Sequence, residues 1–191
     1  MKPQQKRLLS LIGFITLSTL GIGVAAQQSA STTTPTFYMD NTLRDVMDAV
    51  VMEAADVLWQ AGSVVSFMDE NGEIQTIDYS PQTDEDWHKF EHSAIALAES
   101  ANMMIIPGRP LADRELYEQE APAGELSQQE IQRLIDENWL TWTGFANLLH
   151  QTALDAMVMV ENRDLDGLME FGATLDDVCE SCHQVFWYPD N

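Results

Sequence analysis

The chain has 191 residues, with 9 Lys or Arg against 31 Asp or Glu and a formal net charge of −22. So acidic a chain excludes nucleic acid and anionic membrane surfaces as partners and favours basic proteins. With 45% apolar residues it still has the material for a core, which argues against disorder.

The first element is a leader. Lys2, Lys6 and Arg7 precede an apolar run from Leu8 to about Val24, and the small residues Val24-Ala25-Ala26 come just before Gln27. That order predicts a secretory signal peptide over residues 1–26; its apolar run is short for a membrane span, and an uncleaved anchor is the alternative. Cleavage removes three positive charges and no acid, leaving 6 basic against 31 acidic residues, a formal −25. The expected destination is the periplasm, with no membrane insertion once the signal is gone. Residues 27–39 read as a flexible leader, rich in Ser and Thr up to Thr36.

Residues 40–191 read as one domain. Leu43, Met47, Val50, Ala54, Val57/Leu58 and Ala61 recur at steps of three and four, which predicts a first helix ended by Gly62. Two β-leaning runs, 64–68 and 74–77, flank Asn71-Gly72 and predict a small hairpin. Thr83 and the acids Asp84, Glu85 and Asp86 open a second helix, stopped by Pro107-Gly108. Residues 107–126, with three Pro and two Gly, read as a long connection holding one short turn. Ser127-Gln128-Gln129-Glu130 is a capping box that starts a third helix running to about Asn162, with Gly144 as its weak point. A turn at Arg163-Asp164 leads to a fourth helix from about Leu165 to Val185. The predicted fold is all-α, a four-helix up-down-up-down bundle with a small hairpin insertion after the first helix.

The two cysteines of the chain both lie in Cys179-Glu180-Ser181-Cys182-His183. Cys-x-x-Cys-His is the attachment signal for c-type haem. On a helix the two thiols project one turn apart, where they can form thioethers with the haem vinyl groups. His183, four residues after Cys179, shares that face and can reach the iron. A thioredoxin-type redox pair requires the motif at the start of a helix, with βαβ chain downstream, and only eight residues follow His183. A structural zinc needs a fourth ligand from His88, His92 or His150. A plain Cys179–Cys182 disulfide needs nothing further and stands as the bland alternative.

A signal peptide, four helices and a single Cys-x-x-Cys-His near the C-terminus resemble the cytochrome c′ and cytochrome c556 group over about residues 40–187. The resemblance implies one covalent haem c held by Cys179, Cys182 and His183. In that group an Arg near the start of the first helix approaches a haem propionate. Four residues later comes the residue over the distal side of the iron, Met in the c556 type and often Leu in the c′ type. Here the arginine is Arg44, the position four residues on is Asp48, and the methionine is Met47 at three. Arg44 is thus the implied propionate partner and Met47 the implied sixth ligand. The group's basic residue after the motif is missing, and Phe186, Trp187 and Tyr188 stand there instead.

The function expected is electron transfer through a His/Met-ligated haem. The alternative is a five-coordinate haem binding nitric oxide or carbon monoxide, with Met47 as core packing. Redox proteins with a basic docking face are the expected partners, and relatives of the c′ type form homodimers. His88 and His92, four residues apart, read as surface histidines, and His150 as a satisfied helix histidine. No Ser-His-Asp order, phosphate loop or metalloprotease motif argues for an enzyme.

Overall fold

The computed structural model describes residues 36–189. The predicted signal peptide and most of the leader lie outside the described residues. The described residues are mostly helical, with one small two-stranded sheet.

Helix α1 (43–59) starts at a capping box. The Asp45 amide donates to Thr42 Oγ1 (3.2 Å), and the Thr42 amide donates to Asp45 Oδ2 (2.8 Å). Two more amides of the first turn, which no helix can satisfy internally, donate to loop carbonyls: Leu43 to Pro110 and Arg44 to Leu111, each at 2.9 Å. The helix then changes winding. Leu43–Val46 is α-helical, Met47–Met52 is π-helical, and Glu53–Trp59 is α-helical again. The buried positions run Leu43, Val46, Val51, Ala54/Ala55 and Leu58, with a step of five across the π segment. The regular stripe predicted from sequence put Val50 inside. The wider turn places Val51 there instead and leaves Met47 half-buried.

Strands β1 (Val64–Met68) and β2 (Ile74–Asp78) pair antiparallel, from Val64↔Asp78 to Met68↔Ile74. Gly72 takes φ +82° in the connecting turn, where a side chain would be strained. All ten strand residues are exposed, and neither strand packs against a helix.

Helix α2 (Asp84–Met104) opens with a Thr83/Asp86 capping box. Its far end is closed by side chains from elsewhere. Trp142 Nε1 donates to the Met104 carbonyl (3.0 Å) and Arg109 Nε to the Met103 carbonyl (3.1 Å). Arg109 is buried, and its Nη1 also donates to the Asn41 carbonyl at 2.6 Å, which ties the start of α1 to the end of α2. A cation among carbonyls at a helix C-terminus sits where the helix dipole favours it.

The long connection holds one 3-10 turn, Leu116–Glu118. The single third helix expected from sequence is two helices, α3 (Gln128–Glu137) and α4 (Trp139–Glu161). The break falls at Asn138 (φ −121°, ψ 39°), not at Gly144. Asn138 Nδ2 donates to the Leu134 carbonyl (2.9 Å), the local bonding by which Asn competes with continued helix. Gly144 lies within α4, exposed and without crowding neighbours. Arg163, at φ +53°, makes the turn into α5 (Leu165–Phe186).

α1 packs on α2 and α5, α2 packs on α4, and α4 packs on α5. Leu58, Leu97, Leu168 and Leu175 are fully buried among them, with small residues such as Ala94, Ala146, Ala153 and Ala156 between α2 and α4. Residue pairs set the directions. Met104–Trp142 and Ala98–His150 bonds and an Asp84–Arg163 ion pair run down α2 while climbing α4, so these two are antiparallel. Among the described residues, no helix is long and apolar enough to cross a membrane.

Two measurements follow. The Thr83 hydroxyl and the Gln82 and Thr83 amides hold the Asp86 carboxyl down to about 2, against an ordinary value of 3.8. A depressed carboxyl stabilises the fold fully above its ordinary value and stops doing so as pH falls through its folded value. Urea unfolding followed between pH 5 and pH 2 on the ~1-unit steps of this linkage should therefore lose less stability in Thr83→Ala than in the parent. Arg109→Ala should cost about 2–3 kcal/mol, the range for hydrogen bonds made by a charged group, read as a lower urea midpoint with unchanged slope.

Candidate functional site

The last turns of α5 carry Cys179, Cys182 and His183, all half-buried. They open into a cavity of about 390 Å³, inside the ~300–1,000 Å³ span of small-molecule and cofactor sites. Its other walls are Met47, Val51, Ala55 and Trp59 from α1, Phe145 and Leu149 from α4, and Met104 from α2. The acids Asp48, Asp176 and Glu180 also line it. A second hollow of about 130 Å³ adjoins it and shares Met47, Asp48, Cys182, His183 and Trp187. It reaches Arg44, Leu111, Ile131 and Trp142.

All five residues singled out from sequence therefore gather around two adjoining hollows. Met47 lines both, facing the Cys–His turns of α5 from α1. Antiparallel packing brings this about, because Trp59, at the far end of α1, donates its Nε1 to the Gly172 carbonyl in the first half of α5 (3.2 Å). Arg44 lines the smaller hollow and is half-exposed, 3.7 Å from Asp48. That exposed pair contributes little stability.

The donor set is electrically neutral. Burial, and after it the Asp176 carboxylate, pushes the Cys179 thiol up to about 11. Burial, and then Cys179, pushes Cys182 up to about 12. Burial also lowers the His183 imidazole, against the opposing pull of Glu180. Both cysteines are free. Thiols held this high are poor nucleophiles, which argues against a redox-active pair. Among the described residues, no group of three or more His, Cys, Asp or Glu side chains converges as a metal ion requires.

His183 makes no side-chain hydrogen bond among the described residues, so the lone pair of a neutral imidazole is left for another partner. The ring is held by aromatic contacts instead, with Trp187 edge-on at 5.3 Å and Tyr188 tilted at 6.2 Å. Both neighbours are anchored. Trp187 Nε1 donates to Glu125 Oε2 (2.6 Å), and the Leu126 amide donates to the Trp187 carbonyl (2.8 Å). Tyr188 donates to Glu180 Oε2 (2.6 Å), which pushes its phenol up to about 12. Phe186 is buried edge-on against Trp142. Nothing in the sequence points to Glu125, which lies 62 residues from the tryptophan it fixes.

Two thiols one turn apart, an adjoining neutral imidazole, an opposing thioether and apolar walls fit the needs of a covalently attached haem. The other histidines lie elsewhere. His88 and His92 stack on an exposed face, 6.2 Å between centroids, with His88 Nδ1 at 2.9 Å from Glu91. His150 Nδ1 donates to the Ala98 carbonyl (3.0 Å).

Compared with known proteins, the chain matches no family model, no curated protein and no solved structure at a significant level.

Thiol accessibility tests this geometry directly. In protein made without haem attachment, Cys179 and Cys182 should react with dithiodipyridine at neutral pH far more slowly than free cysteine. Unfolding in urea should restore ordinary rates. Fast reaction of the folded protein would mean that the motif stands open to solvent.

Proposed function

We propose that the protein is a periplasmic monohaem c-type cytochrome of the four-helix, up-down-up-down kind, passing electrons through a haem ligated by His183 and Met47. One observation carries this reading: Cys179, Cys182 and His183 open into an apolar cavity whose facing wall presents Met47. Bound there, a haem supplies a one-electron iron couple. The chain does the rest. Cys179 and Cys182 would hold the group to α5 as thioethers, each S–H having added across a vinyl double bond. His183, kept neutral by its surroundings, offers a ring nitrogen to the iron, and the aromatic contacts of Trp187 and Tyr188 restrict its rotation. Met47 offers a thioether, a ligand that raises the reduction potential. Val51, Ala55 and Leu149 keep water away, and Arg44 stands in the adjoining hollow as the counter-charge for a propionate.

The acids at the cavity, within so acidic a chain, favour a basic face on the redox partner, so that association weakens as salt rises. The basic, apolar and small-residue order of residues 1–26 is the reason for assigning export.

Coexpression with a haem c maturation system, followed by denaturation and extraction with acidified acetone, tests attachment. Haem should stay with the polypeptide, and replacing Cys179 or Cys182 should reduce its retention. Haem that extracts freely overturns the reading. Met47→Leu should convert a low-spin ferric spectrum to high-spin and open the iron to carbon monoxide. A parent protein already high-spin transfers the assignment to the gas-binding class, with Met47 as packing.

A further inference from the structure

The hairpin takes no part in the cavity, and its outer edge is unusual. A lone two-stranded ribbon is marginal in water unless further strands or a helix support it. Here neither strand packs on a helix, yet Val64, Val65, Phe67, Met68, Ile74 and Ile77 are all exposed, Met68 at 70% and Ile74 at 74%. Free strand edges are ordinarily guarded by charge, by proline or by a bulge. β1 reads Val-Val-Ser-Phe-Met and carries none of these.

The ladder shows which backbone groups are free. Tyr79 N donates to the Ser63 carbonyl and Asp69 N to the Glu73 carbonyl. In an antiparallel ladder bonded and non-bonded pairs alternate, so Val65 and Phe67 turn their amides and carbonyls toward β2. Val64, Ser66 and Met68 turn theirs outward. We propose that this outer edge of β1 is a self-association site, where a second copy of the chain adds its own β1 antiparallel about a two-fold axis at Ser66, giving a four-stranded sheet.

The register is self-complementary. Ser66 meets Ser66 of the second copy as a bonded pair, and Val64 meets Met68 of the second copy as another. Val65 then lies opposite Phe67 of the second copy in a non-bonded pair, where side chains approach closest and an aromatic beside a β-branched residue is favourable. Charge selects the same arrangement. Of the hairpin's four acids, Asp69, Glu70 and Glu73 sit at the turn and Asp78 alone at the far end, so a parallel pairing would set two three-acid turns side by side, whereas an antiparallel one brings each turn toward a single Asp78. The antiparallel register puts the two turns at opposite ends, roughly 20 Å apart at ~3.4 Å per residue. That exceeds a screening length of about 8 Å at physiological salt. An edge of five residues makes a small interface, so the dimer is a weak one that forms as concentration rises. Net charge opposes it, and added salt strengthens it.

Sedimentation equilibrium of the purified protein tests the proposal over micromolar to millimolar concentration, at low and at moderate salt. The expected result is a mass rising toward twice the protomer, and more so at moderate salt. Ser66→Pro removes the outward amide at the axis and should hold the protein monomeric. Thr76→Pro, at the matching outward position of β2, should leave the dimer intact. Hydrogen exchange supplies a readout that needs no variant: the Val64, Ser66 and Met68 amides should gain protection with concentration while those of Val65 and Phe67 are protected throughout. A protein monomeric at every concentration, or one dissociated by Thr76→Pro but not by Ser66→Pro, overturns the assignment. These measurements do not depend on the haem, so their failure leaves the reading of the cavity untouched.

Discussion

The apposition of α1 and α5 is the constraint on which the site depends. It is pinned at one end by the bond from Trp59 to the Gly172 carbonyl. At the other end the first amides of α1 are anchored on the Pro110 and Leu111 carbonyls, while Arg109 clamps Asn41 to the end of α2. Between these fixed points the two helices hold a cavity open instead of closing on each other. Core side chains pack to crystal-like density elsewhere, with Leu58, Leu168 and Leu175 fully excluded from solvent. A space of about 390 Å³ beside them is therefore a shaped feature.

The π segment gives that cavity its lining. One wider turn shifts the inward stripe of α1 from an expected Val50 to Val51 and leaves Met47 on the wall common to both hollows. In the resembled family arginine and distal residue stand four apart, whereas Arg44 and Met47 stand three apart. The wider winding begins at Met47 and leaves the Arg44–Met47 step as ordinary helix, so the offset of three stands, and it is the packing of α1 that puts Met47 on the cavity wall. Local π turns occur often at functional sites, because an extra residue re-aims side chains without breaking the helix.

Much of this was legible from local chemistry. The Asn71-Gly72 turn, the helix start at Thr83, the Ser127 capping box and the Cys-x-x-Cys-His motif each declare themselves within five residues. What was hidden depends on long-range partners. The break at Asn138 lies one turn before Trp142, whose indole bonds the Met104 carbonyl 38 residues away. Asn138, being able to bond its own helix, yields there more readily than Gly144. The π winding is equally invisible, since Met47 to Met52 would suit an ordinary helix. Trp59, partly buried against the core, is also a wall of the cavity. The anchoring of Trp187 by Glu125 needed the whole connection to fold back on the last helix.

The helix ends also bear on the medium the protein tolerates. The last turns of α2, α3 and α4 carry no basic residue. Their carbonyls are met by the indole of Trp142, the buried guanidinium of Arg109, and the amides of Asn138 and Asn162, the last at 2.8 Å from the Val158 oxygen. Among the described residues, the ion pairs are mostly exposed neighbours on a single helix, such as Arg133–Glu137. Dissolved salt thus screens few attractions that matter and a large mutual repulsion among 31 acids. With helix ends held by amides, an indole and one buried guanidinium, added salt costs the fold few attractions and relieves its repulsion, so dilute buffer is the harsher medium for it.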